Sequence, residues 1–374
     1  MVRIAIQSLA HDRGKLVASL AGVAFASALV LLQMAIYAGF VEGATSLVTR
    51  VGGDVWVMAK STRVVDNGEA LSAGSRAIAA SHPCVARARA LVLSWSAARR
   101  PDGGSDSVMV IGPERGEGPQ VPWTLRDGMP WDLRGAMRVS VDEFDLQRLR
   151  LPAEPVGAAL EIGSQTAWVA AVTKGIRSFT LAPYLFTDAE SARRILGLSD
   201  GQAHYWVLDL KDPRCAPDVV ASVQRHPDLS AMTTAQFAQL TQDSWVGDSG
   251  AGAALWFGAL LALIVGVVVV GQTLYAVTRE HRRELAMLKA IGATSAELTR
   301  FVGWQAGFLA LAGGGIGVAM TLLTESAAGA TGLVIHVTPS VLGIGCGAIL
   351  AMCVLASLWS LRLVLKLPAA EVFK

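Results

Sequence analysis

The chain has 374 residues, of which 52% are apolar and only 17% charged, with a net charge of +2. Four stretches hold no Asp, Glu, Lys or Arg, namely 16–41, 249–278, 301–324 and 326–361, and each exceeds the about 20 residues that a membrane-crossing helix needs. These stretches exclude a purely soluble protein, and the hydrophilic block between the first two excludes a purely embedded one.

Charge gives the expected topology. The segment 42–250 carries 21 basic and 24 acidic residues, whereas the rest of the chain carries 11 and 6. Arg3, Arg13 and Lys15 precede the first span, Arg279, Arg282, Arg283, Lys289 and Arg300 lie between the second and third, and Arg362, Lys366 and Lys374 follow the fourth. The positive-inside rule makes these segments cytoplasmic. The expected order is a cytoplasmic N-terminus (1–15), a first span (16–41), a periplasmic domain (42–248) and a second span (249–278). A cytoplasmic connector (279–300), a third span (301–324), a periplasmic loop (325–337), a fourth span (338–361) and a cytoplasmic C-terminus (362–374) complete it. The first span is too long for a signal-peptide core and reads as an uncleaved anchor. The fold class is thus a membrane protein with four transmembrane α-helices and a large extracytoplasmic α+β domain between the first and second. The slightly acidic outer block, with scattered arginines, gives no nucleic-acid surface.

In the outer block, Gly52–Met58 predicts a turn and strand, Leu71–Ser81 a helix, and Val85–Ser96 a longer strand. The run Arg100-Pro101-Asp102-Gly103-Gly104 predicts a turn into a return strand over Ser107–Ile111. The stretch 113–160 gives no assignment. Ala167–Val172 and Tyr184–Phe186 predict strands, and Thr187-Asp188-Ala189-Glu190 a capping box opening a helix to Leu196. His204–Leu210 predicts a strand, Pro217–Arg225 a helix, Leu229–Met232 a strand, and Thr233 or Thr234 the cap of a last helix. Two strand-helix-strand units make a ferredoxin-like lobe (52–96 plus 203–245), interrupted by a second, small, mostly β lobe over about 97–202. In such a split sheet the start of one unit's second strand and the end of the other unit's first strand share an edge. Cys84 and Cys215 therefore form a disulfide candidate, which an oxidising compartment permits.

Catalytic signals are absent. There is no phosphate loop, no H-E-x-x-H, no C-x-x-C and no G-x-S-x-G, and the six histidines are dispersed, so neither metal nor catalytic residues are expected. Gly313-x-x-x-Gly317 and Gly343-x-x-x-Gly347 predict close helix contacts inside the third and fourth spans. Phe40, Trp245 and Trp256, at the outer ends of the first two spans, are candidates either for the border of a substrate opening or for an interfacial aromatic belt.

The connector Thr278–Thr294 predicts a short amphipathic helix with basic flanks, ended by Gly292 and followed by a Thr294-x-x-Glu297 box. It suits docking of a partner, with anionic membrane lipid as the other partner considered. The run RRELAMLKAIGAT resembles the coupling helix of the MacB/FtsX superfamily of ABC transporter permeases, and Leu367–Phe373 is similar to that superfamily's terminal pattern. Ala21–Ala26 with Gln33, and Gly271–Tyr275, resemble the DevC-like branch, although Gln305 is followed by Ala306 where that branch has a carboxylate. The resemblance implies a homodimeric, non-catalytic permease of a bacterial inner membrane. It implies docking of a cytoplasmic ABC ATPase dimer on Arg282, Glu284, Leu285, Leu288, Lys289 and Gly292. ATP and Mg would then be bound by that partner, with no cofactor in this chain. Outside, it implies a HlyD-like membrane-fusion protein leading to an outer-membrane duct, and export of an amphipathic substrate such as a lipid, glycolipid, haem or hydrophobic toxin. An FtsX-like signal transducer acting on a wall hydrolase, a lipoprotein-releasing permease and a membrane enzyme are the other readings.

Overall fold

The computed structural model describes residues 13–114, 121–133, 135–176, 178, 180, 182–248, 250–280, 287, 294–328 and 335–365. The chain divides into two compact units, Met1–Gly39 with Gly252–Lys374, and Phe40–Ala251. Among the described residues, four helices are long and apolar enough to cross a membrane: Leu16–Val51, Ala251–Ala276, Thr299–Ala328 and Pro339–Leu358.

The first of these belongs to α1 (Arg13–Val51), which continues well past the expected end at Val41. The hydroxyls of its outer part bond back to the preceding turn, Ser46 Oγ to Gly43 O at 2.9 Å and Thr49 Oγ1 to Ser46 O at 3.0 Å, so these polar residues do not end it. It stops at Gly52 and Gly53, whose φ angles of 71° and 84° suit glycine. A side chain at Gly53 would also meet Val207 at 2.3 Å.

The outer unit holds β1 (Val55–Ala59), α2 (Ser75–Ala79), β2 (Val85–Arg99), β3 (Ser105–Pro113), β4 (Leu125–Asp127), β5 (Arg138–Asp142), β6 (Ala159–Ile162) and β7 (Gln165–Thr173). Then follow β8 (Tyr184–Phe186), α3 (Ala189–Leu196), β9 (Tyr205–Leu210), α4 (Ala216–Gln224), β10 (Leu229–Thr233) and α5 (Thr234–Asp243). Strand order is β10-β1-β9-β2-β3-β8-β5-β7-β4, with β6 beside β2 and β7. The first four strands, crossed by α2 and α4, are the expected split unit, and every pairing among them is antiparallel.

The inserted strands continue the sheet of the split unit. β2 is fifteen residues long. Its first half pairs with β9 over Val85–Leu91 and its second half with β3 over Leu91–Arg99, so the inserted strands extend the same sheet. Alternate residues of the central strands enter two cores. Val55, Val57, Val92, Val110, Trp206 and Leu208 lie on the face covered by Ala79, Ala192, Ile195, Val219 and Val223 of the short helices. Trp56, Met58, Leu91, Leu93, Met109, Tyr205 and Val207 lie on the other, with Leu47, Val48 and Val51 of α1 and Phe237 of α5. Coverage on both faces explains why β1 is buried at every position.

Two local expectations are corrected, and one that stood open between two residues is resolved. The helix expected over Leu71–Ser81 is confined to Ser75–Ala79, because Leu71 is drawn into a β-bridge with Ala203. The cap of α3 is Asp188, whose carboxylate accepts from Glu190 N and Ser191 N, while Thr187 Oγ1 donates instead to Arg138 O at 2.6 Å. The cap of α5 is Thr233, in a reciprocal box with Gln236.

The span unit contains α6 (Ala251–Glu280), α7 (Ser295–Ala328) and α8 (Pro339–Leu365) beside the inner part of α1. Its core is built from Val23, Ala26 and Leu31 of α1 with Val270, Leu274, Leu309, Ala310, Ile349, Met352 and Ala356.

Candidate functional site

In the span unit, small residues set how closely the helices approach. A Cβ on Gly313 would lie 2.7 Å from Val23 Cβ, and one on Gly317 would lie 2.6 Å from Ser27 Cβ and 2.9 Å from Ala24 O. That motif therefore seats α7 against α1. Gly343 and Gly347 face open space, so the second expected motif makes no such contact within this chain; the close approach on α8 is at Gly345, over Leu31. Gln33 Nε2 donates to Leu255 O at 3.1 Å, which ties α1 to α6.

An open groove is lined by Phe25, Ala28, Leu29, Leu32, Met320, Thr321 and Thr324. The two threonine hydroxyls are turned back on their own helix, to Gly317 O at 2.9 Å and Met320 O at 2.8 Å. The lining thus presents an apolar contact surface with no charged side chain. On α6, Trp256, Phe257 and Leu261 are 64%, 70% and 65% exposed, an apolar face that this chain leaves uncovered.

Within the outer unit, α1 enters the sheet and α5 leaves it at one root. Thr234 N and Oγ1 donate to Asp54 O at 3.1 Å and Gly53 O at 2.5 Å, and Leu210 N donates to the Asp54 carboxylate at 2.7 Å. Trp56, Tyr205 and Phe237 form an aromatic triangle with ring centroids 5.4 to 5.8 Å apart. Trp56 Nε1 donates to Gly52 O at 3.2 Å. The Arg50 guanidinium lies 5.8 Å from the centre of the Trp123 ring. Arg89, nearly buried, makes a two-pronged ion pair with Asp209 at 2.8 and 2.9 Å.

α5 passes directly into a π-helical turn, Ser244–Asp248. Opposite it lies the loop around a 3-10 turn, Val65–Asn67. Burial pushes the Asp66 carboxyl up to about 7, and the Trp245 indole N–H directed toward it works in the other direction. On the sheet, buried His204 accepts from Leu93 N at 3.1 Å through Nδ1, and burial pushes it down to about 4.

Of the sequence-expected site residues, Cys84 and Cys215 are brought together and bonded, with Cα atoms 6.4 Å apart. Val85 pairs with Leu210, which places the two cysteines at one end of β2 and β9. Phe40 is half-buried on α1, and Trp256 is exposed on α6 in the span unit. The Trp245 indole nitrogen is buried and directed toward Asp66 rather than outward. Arg282, Glu284, Leu285, Leu288, Lys289 and Gly292 lie outside the described residues. The box after them is present: Thr294 N donates to Glu297 Oε2 at 2.8 Å, and Glu297 N to Thr294 Oγ1 at 3.3 Å. Among the described residues no cluster of His, Cys, Asp and Glu could hold a metal ion. Asp66 and the Arg89–Asp209 pair were not legible as site residues, because each depends on partners far along the chain.

Residues 16–226 match the model of the MacB-like periplasmic core domain, and residues 256–369 that of the FtsX-like permease C-terminal domain. Among solved structures, the periplasmic region of MacB from Actinobacillus actinomycetemcomitans is similar at 10% identity, over 50% of this chain and 92% of that one, with a TM-score of 0.37. The extracellular domain of the ABC-type transporter YknZ from Gram-positive bacteria is similar at 12% identity, over 48% and 98%, with a TM-score of 0.36. A domain of a permease protein from Porphyromonas gingivalis is similar at 13% identity, over 48% and 87%, with a TM-score of 0.30. No curated protein matches the chain at a significant level.

Proposed function

Since this chain belongs to the MacB/FtsX superfamily of ABC transporter permeases, we propose that it is the permease subunit of an efflux system of the DevC-like kind, converting ATP-driven movement of its spans into movement of the outer domain. The observation that carries this reading is the root. The outer continuation of the first span packs Leu47, Val48 and Val51 into one core of the sheet and runs into the turn Gly52–Asp54, and Thr234, at the start of the helix that leads to the second span, is bonded to that same turn. A displacement of either helix then acts on the sheet as a whole.

The spans supply no route for a charged solute, since the stretches 16–41, 249–278, 301–324 and 326–361 hold no ionisable acid or base of the Asp, Glu, Lys or Arg type. An apolar groove and an uncovered apolar face on α6 favour contact with lipid, with an amphipathic cargo and with a second copy of the chain. In this reading ATP and Mg bind a separate cytoplasmic ATPase dimer docked on the connector. A HlyD-like fusion protein and an outer-membrane duct complete the pathway, the termini lie in the cytoplasm, and the membrane is the bacterial inner one. The test is affinity purification of the full chain from native membranes, with mass spectrometry of bound proteins and small molecules. Recovery of an ATPase, a fusion protein and an amphiphile that stimulates ATP hydrolysis is expected; recovery of a wall hydrolase with no such cargo would replace export by signalling.

A further inference from the structure

Two aspartates are buried in the outer unit, and they are provided for in opposite ways. Asp142 has no exposed surface and accepts from Thr173 Oγ1 at 2.8 Å, Ile176 N at 2.9 Å and Phe144 N at 3.2 Å. Asp66 is 3% exposed, and neither of its carboxyl oxygens has a hydrogen-bond partner at ordinary distance. The polar group directed toward it is the indole N–H of Trp245. A buried carboxylate with so little support is expensive to keep ionised.

The groups around Asp66 do not repair this. Tyr205 gives its hydroxyl to Val65 O at 2.8 Å, and the Tyr184 hydroxyl faces Ser178, so neither donates to the carboxyl. Burial holds both phenols protonated, and the nearby Asp66 charge raises them further. The charged side chains on the two facing segments, Arg63 and Asp248, pair with each other at 3.5 Å and are 74% and 68% exposed. No cation among the described residues pairs with Asp66. The loop therefore grips the turn Ser244–Asp248 at two points, one dry and one wet.

The turn itself is unusual in being π-helical, a rare conformation that occurs mostly as single turns adjoining or within α-helices and often at functional sites. We propose that Asp66 is a proton-operated latch on this turn: as the neutral acid it stays buried against Trp245 and holds the turn to the sheet, and as the carboxylate it withdraws to water and releases it. The step is a single proton passing from the Asp66 carboxyl to solvent, with no other bond made or broken. Its titration near neutrality, at about 7, places the change where a modest shift in outside pH would act. Acid thus locks the connection that precedes α6, and alkali frees it. The inference goes beyond the permease reading and does not depend on it.

The test uses the full chain in lipid nanodiscs, without ATPase or cargo, and follows hydrogen exchange of the segment 240–248, corrected for intrinsic rates, across about two pH units either side of the Asp66 value of about 7. The ionised fraction rises about tenfold per pH unit below that value, so the opening of the turn should rise by the same factor and then level off above it. Asp66→Asn, neutral at every pH, should keep the turn protected throughout. Trp245→Phe, which removes the N–H that favours the carboxylate, should move the transition to higher pH. Infrared difference spectra of the wild-type chain follow the protonated carboxyl directly and need no variant. A turn whose protection ignores pH, an identical response in Asp66→Asn, or a wild-type carboxyl band that does not titrate over this range would each overturn the latch.

Discussion

Replacing Cys84 and Cys215 together by alanine removes a bond that closes a loop of 131 residues. The chain-entropy relation assigns such a loop about 5 kcal/mol of stabilisation at 25 °C, acting by restricting the unfolded chain. The native register does not need the bond, because Val85 pairs with Leu210 and Lys211 N donates to Cys84 O at 2.9 Å. The double variant should therefore keep its fold and lose stability. With a urea slope of about 2.5 kcal/mol per molar, the loss corresponds to a midpoint lower by about 2 M. Unfolding of the full chain in detergent can be read from tryptophan fluorescence, since Trp56 and Trp206 are completely enclosed in the outer unit. Reduction of the wild-type chain should reproduce the shift. Equal midpoints for oxidised wild type and double variant would refute the account, and a changed slope would show that the unfolded or native state itself had been altered.

Substituting leucine for Gly317 should weaken the span unit by about 1 to 3 kcal/mol, seen as a lower melting temperature in detergent, because its Cβ meets the backbone of α1; the same change at Gly315, which faces open space, should leave the melt unchanged. Leu288→Asp should abolish substrate-stimulated ATP hydrolysis in the reconstituted complex while leaving the permease folded, since truncated anchors at such interfaces cost about 2 kcal/mol or more. In the outer unit two buried groups oppose each other with pH. His204, held down at about 4, contributes stability that is present above its unfolded value of 6.5 and is lost as pH falls toward 4. Asp66, raised from 3.8 to about 7, contributes stability that is present at low pH and is lost as pH rises toward 7. Between about pH 4 and 6.5 the slopes oppose, so the unfolding free energy read from urea melts should rise with pH in Asp66→Asn and fall with pH in His204→Gln, each by about 1.4 kcal/mol per unit at most.

The spans, the split unit and the cysteine pair were legible because each rests on local pattern: uncharged length, strand-helix-strand order, and position at a strand end. Other features rest on partners distant in sequence. β2 runs on through Ala97–Arg99 because β3 and β6 pair with it there, and no periodicity announces that. The segments β4, β5 and β6 have only three to five residues each and owe their form to β7. Leu71 leaves its expected helix for Ala203. Asp66 looks like an ordinary loop acid until a tryptophan far along the chain encloses it. The glycine motifs show the same limit, because spacing marks a face able to approach another helix and only the neighbour decides whether it does.

Strand β2 belongs to both halves of the outer sheet, through β9 along one stretch and β3 along the next. Neither half holds a complete set of paired strands without it. Loss of the inserted strands would bare the edge of β2 over Leu91–Arg99, and loss of the split unit would bare it over Val85–Leu91. The outer unit should consequently melt in one cooperative transition, so that damage near β7 is felt as lowered protection at β1, and no trimmed fragment ending inside β2 should survive proteolysis as a folded piece.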